Sequence, residues 1–193
     1  MPRSNASQSE QEDAILKATA EEVALVGLGR ASLDVVAKQA GVSRRTLYRR
    51  FPTRDALITE LGRRTFDAAM HRLRTVAIDS GPSEAAVAAF CEGVRLLTTE
   101  PVMRRFLRLD TDFTAVAGAY DQAPAFLHHA SSAMAKALCA AGATMPDADL
   151  LAVAELHIRL ACSLAQMPTA VLDVNDGDAV REYARKHLAP LVH

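Results

Sequence analysis

Apolar residues recur along this chain at spacings of three and four, which is the pattern of amphipathic helices. In the segment from Glu10 to Val26, for example, Ile15, Thr19 and Val23 fall on one face. Alanine and leucine, both strong helix formers, are abundant, and the β-branched residues never alternate over a strand-length stretch. The pattern therefore predicts an all-α protein.

Glycine, proline and capping residues divide the helical pattern into segments. Gly41 separates two short helices that follow the N-caps Ser32 and Ser43, and Pro52 ends the second of them. Thr53 is expected to cap a longer helix. The predicted helices are 10–26, 33–40, 44–51, 53–78, 83–99, 101–109, 125–141, 147–166 and 178–188.

The stretch SLDVVAKQAGVSRRTLYRRFPTR, residues 32–54, has the composition of a helix-turn-helix. Ala37 is small enough to let two helix axes approach, and Gly41 can adopt a backbone conformation that residues with a Cβ resist. Val36, Val42 and Leu47, together with Ala40, are predicted to form a small inner core against the first helix.

The second helix of this motif carries an unusual charge. Residues 43–54 contain five arginines and no acid, and such like charges repel each other on a short helix. A polyanion would relieve that repulsion, and the major groove of B-form DNA admits one α-helix. Residues 1–75 also hold 13 Lys and Arg against 9 Asp and Glu, whereas the rest of the chain holds 9 against 14. Both observations favour DNA binding by the N-terminal part.

Arg44 and Arg45, at the start of this helix, are placed for base contacts, because arginine binds guanine with two hydrogen bonds. Hydroxyl groups and the remaining basic side chains suit the phosphate backbone. Tyr48 has a second interpretation as a half-buried packing residue, Arg50 is expected to point away from DNA or reach only a phosphate, and Phe51 is expected in the core. The predicted DNA-contacting residues are Ser32, Ser43, Arg44, Arg45, Thr46, Tyr48, Arg49 and Arg54.

Residues 15–57 resemble the TetR/AcrR family of transcriptional regulators without a gap. The resemblance is carried by Gly27-Leu28, Ser32, the AGVS of residues 40–43, the TLY of residues 46–48, Phe51, Arg54 and Leu57. Glu22 departs from the family pattern, which has an apolar residue there, so the first helix is expected to be turned or partly exposed at its end. Leu28 replaces the usual aromatic residue, and Arg50 replaces the usual histidine or tyrosine.

The resemblance implies an N-terminal three-helix domain with a helix-turn-helix and a C-terminal helical domain for ligand binding and dimerisation. Residues 1–9 are then a disordered tail, 10–52 the DNA-binding domain and 53–193 the second domain, with helix 53–78 connecting the two. Two subunits of a homodimer would place their reading helices about 34–36 Å apart, so the expected DNA partner is a palindromic operator.

Apolar stripes on the last two helices agree with dimerisation, which the family achieves with these helices. The same stripes are also explained if both helices bury their apolar faces in their own subunit. The predicted dimer residues are Val153, His157, Ile158, Ala161, Leu164, Val180, Tyr183, Ala184, His187 and Leu188.

The middle helices carry the large apolar side chains that would line a pocket for an apolar or amphipathic ligand. Ordinary core packing explains each of them equally well. No metal or cofactor is expected, because His128 and His129 are adjacent and point in different directions on a helix. The predicted ligand-binding residues are Phe90, Met103, Phe106, Leu109, Phe113, Phe126 and Met134.

The sequence thus predicts a cytoplasmic bacterial transcriptional regulator, in particular a repressor released by a small ligand. A DNA-binding dimer controlled by a protein partner is the alternative. The chain lacks a nucleotide-binding glycine loop, a metalloprotease motif and a catalytic-triad pattern, so it is not expected to be an enzyme. No apolar run reaches the roughly 18 residues of a membrane span, and the polar first ten residues do not form a secretory signal.

Overall fold

A computed structural model describes residues 8–76, 81–107, 117–167 and 169–193, and for residues 117–126 it describes only the backbone. These described residues form helices and no strand, as the sequence predicts. None of the helices within these ranges is long and apolar enough to cross a membrane. The N-terminal helices are α1 (Gln8–Val26), α2 (Leu33–Gln39) and α3 (Arg44–Arg50).

Six further helices follow the helix-turn-helix. They are α4 (Arg54–Val76), α5 (Pro82–Thr99), α6 (Pro101–Leu107), α7 (Ala117–Ala140), α8 (Asp147–Gln166) and α9 (Gly177–His187), and a short 3₁₀ turn, Ala189–Leu191, comes after them. Helix α7 begins eight residues before its predicted start at Ala125, because Pro124 lies inside the helix and does not end it. Helix α1 includes two residues of the predicted tail.

The N-terminal core joins α1, α2 and α3 to the first turns of α4. Val36 and Leu47 pack against Ile15 of α1, and each of the three is at most 1% exposed. Leu57 and Leu61 of α4 complete this core, and Phe106 of α6 packs against it. The reading helix is therefore held by elements from both sides of the predicted boundary at residue 52.

The C-terminal core is built around α5, whose alanines allow close approach of its neighbours. One cluster joins Ala85, Ala86 and Ala89 to α7 and α8. Another joins Val87, Phe90 and Val94 of α5 to α8 and α9. Nearly the whole circumference of α5 is thus covered by other helices of the same subunit.

The structure corrects the predicted dimer stripe. His157, Ala161, Val180, Ala184 and Leu188 are at most 5% exposed and pack within the subunit against α5. These five side chains present no surface to a second chain, because an apolar stripe marks a buried face without identifying what covers it.

The other five residues of the predicted stripe lie at the edges of this core. Val153, Ile158, Leu164 and Tyr183 are half-buried and pack against the two C-terminal clusters, and His187 is exposed. They stay candidates for a contact with a second chain.

Candidate nucleic-acid interface

The turn between α2 and α3 depends on one glycine. Gly41 has a φ of +67°, a conformation that glycine adopts without the steric cost of a Cβ. The amide of Val42 then donates to the carbonyl of Ala37 at 3.0 Å, which closes the turn. Ala37 and Leu47, at the contact between the two helices, are 3% and 1% exposed. The sequence prediction for this turn is confirmed.

Ser43 begins the reading helix as an N-cap. Its Oγ accepts a hydrogen bond from the Thr46 amide at 3.1 Å and lies 3.0 Å from the Thr46 hydroxyl. The cap satisfies an amide that the first turn leaves without a helical partner. The hydroxyls of Ser43 and Thr46, both predicted to contact DNA, therefore lie together at the start of α3.

The exposed face of α3 is strongly basic. Arg44, Arg45, Tyr48 and Arg49 are exposed and, at spacings of one, three and four residues, share one side of the helix. Tyr48 is 42% exposed, which favours its interpretation as a surface residue over that of a packing residue. Leu47 and Phe51 occupy the opposite, buried side. The structure thus brings together four of the eight predicted DNA-contacting side chains on a single surface.

One residue of this face has an acidic neighbour. The Nε atom of Arg44 lies 2.7 Å from Oδ1 of Asp34, which is in the first turn of α2. Both side chains are more than half exposed. Sequence reasoning missed this pair because the two residues are ten positions apart and on different helices.

Arg50 does not belong to the basic face. Its guanidinium donates to Oε1 of Gln11 at 3.3 Å and lies 3.8 Å from Glu12, and its side chain is only 13% exposed. These contacts hold α3 against the start of α1. The expectation that Arg50 points away from the DNA-reading side fits this position.

Ser32 and Arg54 are held by contacts at the end of α1. The Ser32 side chain makes no capping hydrogen bond, and its amide instead donates to Oε1 of Glu22 at 3.1 Å. The guanidinium of Arg54 donates to the Leu28 carbonyl. Both residues therefore hold the chain between α1 and α2 in place, whatever they do towards DNA.

Glu22 is a residue that the sequence analysis misjudged. It is 6% exposed, so the expectation of a turned or partly exposed helix end at this position is wrong. Its carboxylate faces inward because it accepts the amide hydrogen at the start of α2. Burying a polar group is tolerated when it is hydrogen-bonded in this way.

An ion-pair network on α4 fixes α1 from the other side. Arg63 and Arg64 both pair with Glu60, at 2.7 and 3.0 Å, and Arg64 also pairs with Asp13 of α1. The hydrogen bond from Arg63 is the main reason why the pKa of Glu60 falls to about 2. Helix α1 is thus tied by charge to both α3 and α4.

The predicted ligand residues do not meet in one cavity. Phe90 is buried between α5, α8 and α9, whereas Phe106 packs beneath Gly62 of α4, and Met103 is half-buried on α6. Met134 lines a small cleft between α4, α5 and α7, together with Met70, Leu73, Arg74, Ala89, Ala133, Ala137 and Leu138. Leu109, Phe113 and the side chain of Phe126 lie outside the described residues.

The cleft itself is small. Its volume of about 10 Å³ suffices for about one water molecule. Its lining is apolar except for the exposed Arg74. Without a rearrangement it admits no larger ligand.

Known proteins agree with this architecture. Residues 15–61 match the family model described as bacterial regulatory proteins, tetR family. No curated protein sequence matches the chain. Among solved structures, a TetR-family transcriptional regulator from Pectobacterium atrosepticum is 19% identical, with 98% of this chain and 95% of that chain covered and a TM-score of 0.69.

Two further solved structures have described roles. The TetR family repressor AlkX from a Dietzia strain, implicated in biodegradation of n-alkanes, is 20% identical over 93% of each chain, with a TM-score of 0.64. The fatty acid degradation regulator FadR from Bacillus halodurans is 14% identical, with 90% of this chain and 94% of that chain covered, at a TM-score of 0.64. At such identities the likeness establishes the fold alone.

The matched family model spans the whole helix-turn-helix and its basic reading helix, and the remaining helices follow the fold of the same regulators. Members of this family are DNA-binding transcription factors and not enzymes. This chain is therefore a DNA-binding transcriptional regulator of the TetR family.

Proposed function

We propose that the chain binds a palindromic operator as a homodimer, represses transcription there, and is released by a small apolar or amphipathic ligand. The observation that carries the DNA-binding part is the exposed face of α3, where Arg44, Arg45, Tyr48 and Arg49 stand together and no acid lies on the same helix. A face of this charge gains free energy when it replaces the counterions around DNA phosphates.

The residues are proposed to divide the work between bases and backbone. Arg44 and Arg45 lie in the first turn of α3, the part of a reading helix that meets base edges, so they contact guanine. Tyr48 and Arg49, one turn later, contact phosphates, as do Ser43 and Thr46 beside the cap. Ser32 and the N–H groups of Arg54 that do not bond to Leu28 complete the backbone contacts.

Removal of one arginine from the reading face tests this proposal. Arg45→Ala should weaken binding to an operator that the wild-type protein has selected from random duplexes by about 5- to 150-fold, the range of one bidentate arginine–guanine contact. Fluorescence anisotropy of a labelled duplex measures the affinity. Arg63→Ala is the matched control, because Arg63 is an exposed arginine on α4 that pairs with Glu60 and Asp67. Equal losses in both variants would contradict the proposed face.

The outward face of α8 is proposed as part of the dimer contact. It exposes two large apolar side chains, Leu156 at 49% and Met167 at 64%, in a helix whose other apolar residues are largely covered. Exposed apolar groups of this size gain about 1.5–3 kcal/mol each when they are buried. Leu156→Glu should shift the protein to a monomer in analytical ultracentrifugation, whereas Ala152→Glu on the exposed first half of the same helix controls for added charge. A dimer that survives the Leu156 change would contradict this contact.

Control by a ligand requires a mechanical link between the two domains, and α6 supplies a candidate. Arg105 of α6 donates to the Ala24 and Leu25 carbonyls at the end of α1, at 3.1 and 3.4 Å. Phe106, the next residue, packs against Gly62 of α4 and the N-terminal core. A shift of α6 would therefore move α1 and, with it, the reading helix.

The chemistry of the ligand is proposed from the apolar cleft beside Met134 and from similar folds. AlkX and FadR, by their names, regulate the degradation of n-alkanes and of fatty acids, respectively. A saturating concentration of decanoate or decane should weaken operator binding if such a molecule is the effector. Unchanged affinity with both compounds would contradict this ligand class.

The small volume of the cleft favours the alternative, a DNA-binding dimer controlled by a protein partner. The two mechanisms differ in a thermal-shift experiment with apolar and amphipathic metabolites. A ligand that binds the folded state raises the melting temperature, and a partner-controlled protein shows no such rise with any of them.

A further inference from the structure

Asp34 is an acid on the side of the molecule that carries the reading helix. It is the single Asp or Glu in residues 27–53, a stretch that contains six Lys and Arg. It lies in the first turn of α2, exposed, with Oδ1 at 2.7 Å from Nε of Arg44. Its position places a negative charge beside the face that is proposed to meet a polyanion.

Fold stability does not explain this acid. The side chains of Arg44 and Asp34 are 64% and 57% exposed, and exposed ion pairs of this kind add little to stability. A carboxylate near the backbone of DNA is also repelled by the phosphates. Asp34 therefore lowers the affinity of this face for DNA of any sequence, unless its pairing with Arg44 returns an advantage on the correct sequence.

The geometry of the pair offers such an advantage. A guanidinium has five N–H donors in one plane, and Asp34 contacts the Nε side, which leaves donors on the Nη atoms for a second partner. Guanine presents O6 and N7 to two parallel donors. An Arg44 that Asp34 holds in place loses less side-chain freedom when it binds guanine, whereas a phosphate at the same position would meet the Asp34 carboxylate.

We propose that Asp34 is a specificity-determining residue, which holds Arg44 for a guanine contact and disfavours binding to the phosphate backbone alone. This inference rests on the proposed function, namely operator binding by α3.

Asp34→Asn tests the proposal through two affinities. One is for an operator that the wild-type protein has selected from a random duplex pool, and the other is for a scrambled duplex of the same composition. Asp34→Asn should raise the affinity for the scrambled duplex about 3- to 10-fold and leave operator affinity equal or lower, so that their ratio falls at least about 5-fold. Asp55→Asn is the matched control, because Asp55 is an exposed acid in the first turn of α4 without a recorded partner on α3.

A double-mutant cycle with Arg44→Ala separates positioning from simple charge removal. If Asp34 acts through Arg44, Asp34→Asn should change the ratio less than about twofold in the Arg44→Ala background. Replacement of the contacted guanine by 7-deazaguanine, which lacks the N7 acceptor, should weaken the wild-type protein and leave Arg44→Ala unaffected.

Four outcomes overturn the inference. The ratio is unchanged in Asp34→Asn, it falls equally in Asp55→Asn, it falls equally in the Arg44→Ala background, or Asp34→Asn loses a preference for cytosine, which would mean that Asp34 reads a base itself. If the wild-type protein selects no sequence at all, the proposed function fails and this inference fails with it. If it selects an operator and one of the four outcomes occurs, the proposed function stands and only the role of Asp34 is lost.

Discussion

At the scale of single residues, the least expected contacts are made by polar side chains within the core. Glu22 is a carboxylate at 6% exposure that accepts the Ser32 amide, and His157 is an imidazole at 1% exposure between α8 and α5. Each occupies a position where an apolar residue is the usual choice. Each therefore has a measurable effect on folding.

Glu22→Ala should lower the free energy of unfolding by about 1–3 kcal/mol, because the Ser32 amide loses its acceptor in a partly buried setting. Glu22→Gln keeps an oxygen acceptor and should cost less than half as much. Glu21→Ala, at the neighbouring exposed position of the same helix, should stay within about 0.5 kcal/mol of the wild type. Urea unfolding measures all three. A Gln variant as unstable as the Ala variant would show that the hydrogen bond is not the cause.

His157 should make the protein sensitive to mild acid. Its Nδ1 lies 2.7 Å from the Val153 carbonyl, which can only accept, so Nδ1 carries the hydrogen. Nε2 has no hydrogen-bond partner among the described residues, and burial lowers the pKa of this histidine. Below pH of about 6.5 the unfolded chain gains a proton that the folded chain refuses, so stability falls with pH until the lowered folded pKa is reached.

A comparison with His157→Leu isolates this effect. Both proteins are unfolded by urea between pH 7.5 and 5. The wild type should lose stability more steeply than the variant below pH of about 6.5, by up to about 1.4 kcal/mol per pH unit. Parallel curves would mean that His157 is protonated in the folded protein.

At the scale of helices, the elements that the sequence predicts well are those whose signals are local. The cap at Ser43, the glycine at residue 41 and the proline at residue 52 lie within the motif itself, and α3 ends within one residue of its predicted limit. The acceptor of the Ser32 amide is ten residues away and that of Arg54 is 26 residues away, so no local pattern reveals them. The α8 stripe predicts burial correctly, but its period contains no information about which surface covers it.

The contact between α4 and α6 gives a prediction at this scale. A Cβ at Gly62 would lie 3.2 Å from Cζ of Phe106, so Gly62→Ala should displace α6. We expect operator affinity to change although residue 62 is away from the reading face, with a loss of stability of about 1 kcal/mol or more from overpacking.

Gly93→Ala controls for the helix propensity gained in both variants. Gly93 is also inside a helix, and its Cβ would meet only an ordinary contact at 3.9 Å with Leu73. It should be neutral or stabilising, because alanine favours helix over glycine by about 1 kcal/mol. Equal behaviour of the two variants would remove α6 from the coupling route.

At the scale of the whole molecule, charge is divided unequally along the chain. The first 75 residues carry the excess of base, and α3 presents it on one exposed face, while the rest of the chain is acidic. The acidic second half makes it unfavourable for other surfaces to bind DNA. The net charge of −1 hides this division, which is why composition alone does not indicate a DNA-binding protein.

Salt dependence should reveal the division. If each subunit of a dimer neutralises about four phosphates, the logarithm of the binding constant should fall with the logarithm of salt concentration at a slope of about −7. Arg49→Ala, which removes one proposed phosphate contact from each subunit, should reduce the magnitude of the slope by about 2. Titrations at several salt concentrations provide both slopes, and a flat dependence would contradict binding through this face.

The exposure of Tyr48 has a consequence for spectroscopy. The chain contains three tyrosines and no tryptophan, so incorporation of 3-fluorotyrosine would give three ¹⁹F resonances without further labelling. Tyr48 stands on the outer face of α3, whereas Tyr183 lies on α9 beside His187 in the other domain. A duplex that docks on the reading helix would move the first resonance and leave that of Tyr183 in place, while a rearrangement of the C-terminal domain would move the latter. The native tyrosines thus distinguish events at the two ends of the molecule in one sample.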